Sequence, residues 1–246
     1  MNFFQNSKTA LFSAFFLLAP AFGFSIWAGT IEGLVTVTAP ARPDLQIQNA
    51  APADDNSDQG RFGGNDGYGA PAAAPQTQAT PQPEEIVVYL KKVSGDWKAP
   101  KTHATLDQKY IKFTHRALPV LVGTTVDFTN HDPVYHNIFC NATINPQFDL
   151  GLCKTGETKS ITFKKVEVPV PLYCEVHRSM QSNVLVLQNP FYQVVHPGER
   201  FHLTNVPSGT YTLVAWHDYW EPVSGKVKVH KGKVTTMNIT LDQVRK

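Results

Sequence analysis

Thr30-Ile31-Glu32-Gly33-Leu34-Val35-Thr36-Val37 alternates polar and apolar positions, the period of a strand with one buried face. After Glu85, short runs of strand-forming residues recur, separated by turn-forming residues. They predict strands over 86–90, 110–113, 118–122, 125–129, 160–163, 171–174 and 183–187, with Gly123 marking a turn. Further strands are predicted over 200–203, 210–216, 224–229 and 235–241. No stretch sustains a helical period, so the expected fold class is all-β, built as antiparallel β-sandwiches.

Two segments break this pattern. Residues 10–24 form an apolar run, preceded by Lys8 and interrupted by Pro20 and Gly23. The run is too short and too broken to span a bilayer well, and Ala28 ends a cleavage-site pattern. Residues 1–28 therefore read as a secretory signal, with a retained anchor as the alternative. The mature chain is expected to be periplasmic or secreted, with no membrane attachment after cleavage. Residues 39–84 are dense in Ala, Pro, Gln, Gly, Asp and Asn, cannot bury enough apolar surface to offset chain ordering, and read as a flexible linker.

Composition narrows the function classes. The 246 residues are 42% hydrophobic and 17% charged, with a formal net charge of +2, ordinary for a globular protein. Nucleic-acid binding needs concentrated basic charge, so it is not expected here. Lys226, Lys228, Lys231 and Lys233 cluster near the C-terminus, and their alternation with Val227 and Val229 reads as a solvated strand face.

The informative chemistry lies in Tyr173-Cys174-Glu175-Val176-His177-Arg178-Ser179-Met180. A thiolate, an imidazole and a thioether follow one another at the end of a predicted strand, so one tight loop can present them to a single ion. Two His and one Cys, with a weak Met on the axis, suit copper. Zinc also takes Cys and His, but Met is a poor zinc ligand. The fourth ligand must come from elsewhere, and His136 is the candidate, after the 125–129 strand and the Asn130-His131-Asp132-Pro133 turn. The three cysteines are Cys140, Cys153 and Cys174. In an exported protein an odd count leaves one thiol unpaired. A disulfide between Cys140 and Cys153, joined across a turn-rich stretch, is expected and leaves Cys174 free.

Residues 105–188 resemble the cupredoxins, blue copper proteins of the plastocyanin and amicyanin type. The resemblance rests on Gly123-Thr124-Thr125-Val126-Asp127-Phe128-Thr129-Asn130, on His136-Asn137 and on the Cys-x2-His-x2-Met loop. It implies a Greek-key β-sandwich and one mononuclear copper ion on His136, Cys174, His177 and Met180. It also implies that Asn137 locks the ligand loops and that His177 is the electron port. The arrangement is similar to exported plastocyanin-like proteins often labelled methylamine-utilisation proteins.

Residues 29–37, 86–91 and 198–216 resemble the transthyretin-like fold of carboxypeptidase regulatory domains. The Gly33 strand, Val87-Val88-Tyr89-Leu90 and Phe201-His202-Leu203-Thr204-Asn205-Val206-Pro207-Ser208-Gly209-Thr210-Tyr211-Thr212-Leu213 carry that likeness. The expected organisation is a cupredoxin domain, 98–189, inserted in or joined to a small transthyretin-like sandwich. That sandwich comprises the first strand, 29–38, with 85–97 and 190–246.

These readings imply an electron carrier served by a redox partner protein. The alternatives are a copper-binding chaperone or buffer with a copper acceptor, and a structural or interaction module whose copper is incidental. An enzyme is not expected. Tyr173 and Glu175 flank Cys174 where multicopper oxidases have His on each side, and a second cupredoxin domain is lacking. His217-Asp218 is read as a hydrogen-bonded surface pair at a strand end, with a second metal site as the alternative.

Overall fold

The computed structural model describes residues 28–40 and 84–245. The predicted signal, up to residue 27, and the predicted linker, from residue 41 to 83, lie outside the described residues. No helix occurs among the described residues; the elements are sixteen strands.

The N-terminal strands are β1 (Ala28–Val37) and β2 (Ile86–Leu90). Eight strands follow: β3 (Ala104–Thr105), β4 (Ala117–Leu121), β5 (Thr125–Thr129), β6 (His136–Cys140), β7 (Phe148–Cys153), β8 (Thr158–Thr162), β9 (Glu167–Tyr173) and β10 (Gln181–Leu187). The C-terminal set is β11 (Tyr192–Val195), β12 (Arg200–Pro207), β13 (Gly209–Trp216), β14 (Val223–Val229), β15 (Val234–Thr236) and β16 (Ile239–Leu241).

These strands form four sheets. β12-β1-β15, with β16 also on β1, faces β11-β2-β13-β14 across one apolar core. β4-β10-β9-β6-β7 faces β3-β5-β8 across a second. β1 and β2 thus pair only with strands from the C-terminal set, while β3 to β10 pair among themselves. We call these the terminal and the central sandwich.

The two sandwiches share a third apolar layer, and the sequence shows why. In β2, Ile86, Val88 and Leu90 enter the terminal core, while Val87 and Tyr89 point the other way. In β10, Val184 and Val186 enter the central core, while Leu185 and Leu187 point back. β2, and β10 from Val184 to Leu187, are continuous apolar runs because both of their faces are buried. Ala117, Val214 and Trp216 complete the shared layer. β1 keeps the clean alternation of a strand buried on one side. Its Gly33 is required by close approach, since a Cβ there would lie 1.9 Å from the Met237 carbonyl oxygen.

Several expectations change. Residues 110–113 are not a strand: Tyr110 and Ile111 turn through positive φ. β3, β6, β7 and β11 were not predicted; the neighbours each pairs with in its own sheet fix them as strands where the local pattern is weak. The sandwiches are not purely antiparallel, since β1–β15, β1–β16, β3–β5 and β4–β10 run parallel.

The predicted Cys140–Cys153 disulfide is also corrected. All three cysteines are free. In the β6–β7 ladder Cys153 lies opposite His136, whereas Cys140 lies opposite Phe148. The two thiols sit at opposite ends of the hairpin, about 13 Å apart along it, against the roughly 4–7 Å between Cα atoms that a disulfide spans.

Candidate metal centre

His136 opens β6 and is fully buried. Cys174 follows β9, which pairs with β6 at Phe139↔Tyr173 and Cys140↔Leu172. Extended by one residue, that register sets Cys174 level with Ile138, two residues along β6 from His136. From Cys174 the chain loops to Met180 and enters β10. The loop is closed by its own backbone: Met180 N–H donates to the His177 carbonyl at 2.9 Å, and Cys174 N–H donates to the Met180 carbonyl at 3.2 Å.

This folding assembles three metal-binding groups. The donor atoms of His136, Cys174 and His177 all lie within 4.8 Å of one another. His136 Nδ1 is 3.0 Å from His177 Nδ1, and Cys174 Sγ is 3.9 Å from His177 Nδ1. An ion held in a plane by three such donors at about 2.0–2.3 Å separates them by roughly 3.5–4.0 Å, so small shifts suffice to accept one. His136 and Cys174 are buried and His177 is half-buried. Met180 is buried in the same core cluster as Cys174.

The surroundings favour a thiolate. Burial pushes the Cys174 thiol up, but the His136 side chain, the backbone N–H groups of Asn137 and His177, and the His177 imidazole outweigh it and bring it down to about 6. Cys140 is equally buried, at 2% exposure, yet burial pushes it up to about 11. Donors aimed at sulfur, not exposure, separate these two thiols. Asn137 organises the site from three sides. Its N–H reaches Cys174 Sγ at 3.3 Å, its Nδ2 donates to Asp149 at 2.7 Å, and its Oδ1 accepts from Glu175 N–H at 3.3 Å.

Sequence reasoning missed Asp132. It was read only as part of a turn, yet its carboxylate is buried and accepts from His136 Nε2 at 2.8 Å. Its position four residues before His136 was the available signal. Burial raises the Asp132 carboxyl, and the N–H groups of Ile111 and Tyr110 together with His136 lower it further than burial raises it. His136 is lowered by burial but raised on balance by its contacts with Cys174 and Asp132.

A second cluster, Glu84, His217 and Asp218, groups three metal-binding residue types. His217 is buried rather than at the surface, at 1% exposure. Its Nε2 meets Glu84 at 2.6 Å, and its Nδ1 accepts the Tyr219 N–H at 3.1 Å. The Asp218 carboxylate is taken by the Arg116 guanidinium at 2.5 Å. Both ring nitrogens are committed and a cation already occupies the acid, so this cluster reads as a buried clasp between the two sandwiches.

No protein-family model matches the chain, and no curated protein matches it. Solved structures are similar to part of it. A Cu(I) form of an amicyanin mutant matches at 23% identity and TM-score 0.32, covering 34% of this chain and 81% of that one. An oxidised amicyanin mutant matches at 24% identity and TM-score 0.32, covering 35% and 83%. A Cu-containing nitrite reductase from Thermus scotoductus matches at 23% identity and TM-score 0.34, covering 39% of this chain but 25% of that one.

Proposed function

We propose that the chain is an exported type 1 copper protein carrying single electrons between protein partners, with one copper ion held by His136, Cys174, His177 and Met180. The observation that carries this reading is the preassembled trio of His136, Cys174 and His177, with its thiol held at about 6. A bound copper ion would supply one-electron chemistry, and two imidazoles, a thiolate and a thioether suit both of its oxidation states. The chain's own residues do the rest. His136 is anchored in a sheet and the Cys174–Met180 loop is closed by backbone hydrogen bonds, so the donors have little room to rearrange. The Asn137 N–H on Cys174 stabilises negative charge at sulfur. His177 is the half-buried edge through which an electron enters and leaves. Exposed Val134, Tyr135 and Val176, adjacent in sequence to the two histidines, offer an apolar rim to a redox partner.

The same reading takes residues 98–189 as the copper domain, inserted into a transthyretin-like sandwich of 29–38, 85–97 and 190–246. The pairing of β1 and β2 with C-terminal strands supports that division. It takes 1–28 as the export signal and the periplasm or the outside of the cell as the destination.

The test is to load the signal-free protein with Cu(II) and record visible and electron paramagnetic resonance spectra beside Cys174→Ala. An intense blue band with narrow copper hyperfine splitting, absent from the variant, is expected. A colourless protein, or a spectrum indifferent to the substitution, rejects the blue-copper site.

A further inference from the structure

Tyr110 and Ile111 adopt φ of 59° and 56°, the left-handed region that residues with a Cβ avoid, and Ile111 is β-branched. Their side chains do not account for this, because Tyr110 is 64% and Ile111 45% exposed. The turn is held from beneath. Tyr110 N–H donates to Asp132 Oδ1 at 2.6 Å and Ile111 N–H donates to Asp132 Oδ2 at 2.8 Å. The same Oδ2 accepts from His136 Nε2 at 2.8 Å.

We infer that Asp132 is a positioning residue that ties the buried His136 imidazole to the exposed Tyr110–Ile111 turn, so that the aim of His136 Nδ1 depends on the conformation of that turn. An imidazole nitrogen that bonds a carboxylate must carry the hydrogen, which leaves Nδ1 directed at His177 and Cys174. The carboxylate cannot swing to serve one end alone. Asp132 is 5% exposed, its backbone N–H donates to Asn130 Oδ1 at 2.8 Å, and its carbonyl accepts from Thr155 Oγ1 at 2.7 Å. Asn130 is itself fixed, donating to the Val134 carbonyl at 2.7 Å and the Cys153 carbonyl at 2.9 Å. Strained backbone persists where its surroundings over-determine it. Here the same carboxylate that stabilises the turn also orients a metal-facing ring. A partner that seats on Tyr110 and Ile111 and shifts the turn therefore shifts His136.

The copper arm of the test rests on the function proposed above; the nuclear magnetic resonance arm does not. In metal-free, 15N-labelled protein, His136 Nε2 is expected to carry the hydrogen. Asp132→Asn presents one oxygen and an NH2 group in place of two acceptors. It should move the Tyr110 and Ile111 amide resonances and the His136 ring nitrogens together, and weaken Cu(II) affinity about 10–100-fold. Ile111→Pro removes the N–H and forbids positive φ, so it should also move the His136 ring nitrogens, although residue 111 touches no proposed ligand. Ile111→Gly keeps the N–H and accepts the φ, and should leave them in place. The Ile111 pair decides the matter even if Asp132→Asn fails to fold. His136 ring nitrogens unmoved by Ile111→Pro in the folded protein overturn the inference, whatever Asp132→Asn does. Ring nitrogens that respond in a protein without a blue copper band uphold it while removing the proposed function.

Discussion

The central and terminal sandwiches use the same construction, two sheets closed on an apolar core, but they differ in what else they bury. The terminal core cluster is built of aliphatic and aromatic side chains, including Ile31, Val88, Phe201 and Leu213, with the hydrogen-bonded Asn189 and His217 buried at its margin. The central core adds three cysteines and Met180, and around it lie buried Gln108, Asn130, Asp132, His136 and Asn137. A buried polar group destabilises a fold unless it is hydrogen-bonded. In the central sandwich each of these side chains makes at least one hydrogen bond, to backbone or to a neighbouring side chain, although Gln108 Oε1 is buried without a partner. The difference separates a unit whose interior only holds it together from one whose interior also holds a site.

Matched substitutions break that comparison most sharply. Ile31 in β1 and Ile138 in β6 are both fully buried. Each Ile→Ala change should cost about 2–5 kcal/mol in denaturant unfolding. Only Ile138→Ala, two residues from His136 on the same strand face, should alter the copper spectrum. An equal spectral change from Ile31→Ala would dissolve the distinction.

Acid should act on the central sandwich through Glu167. Burial raises this carboxyl, but Asn145, Thr143 and Ile144 donate to it and bring it from 4.5 to about 2. Such a displacement corresponds to about 3 kcal/mol. That contribution is complete above about pH 4.5 and is lost as pH falls towards 2. Glu167→Gln should flatten the pH dependence of unfolding across this window and lower stability at neutral pH. A wild-type curve level from pH 5 to 3 would contradict it.

The smallest effect sits where the sandwiches meet. Buried Glu85 accepts from the N–H groups of Arg116 at 2.7 Å and Ala117 at 3.1 Å, and from His115 at 2.8 Å. Removing those acceptors with Glu85→Ala should cost about 1–3 kcal/mol. The His115 pKa is raised by its hydrogen bond to Glu85. Its stabilisation is therefore full below about pH 6.5 and fades as pH rises through the folded value. His115 is 44% exposed, so solvent screening keeps this term under about 1 kcal/mol. Unfolding free energies at pH 6 and 8, compared with those of His115→Gln, should resolve it.

Much of the fold and site was legible because the signals are local. Alternation in β1 and the doubly apolar runs of β2 and β10 report which faces are buried. Cys174, His177 and Met180 sit on one short loop, so their spacing alone proposes an ion. His136 was legible only through its turn and strand context, and its meeting with Cys174 required the β6–β9 pairing.

What the sequence by itself determined is the all-β class, the positions of most strands and the residue types capable of binding a metal. These follow from side-chain periodicity and donor chemistry, which need no knowledge of distant neighbours. Tertiary structure alone decided that β6 and β7 are strands, that Cys140 and Cys153 lie at opposite ends of their hairpin, and that Asp132 reaches both His136 and the Tyr110–Ile111 turn. It also decided that Cys174 is held low while Cys140 is pushed high. Each of these depends on which groups from remote parts of the chain arrive at one point, and that is set by sheet register and packing.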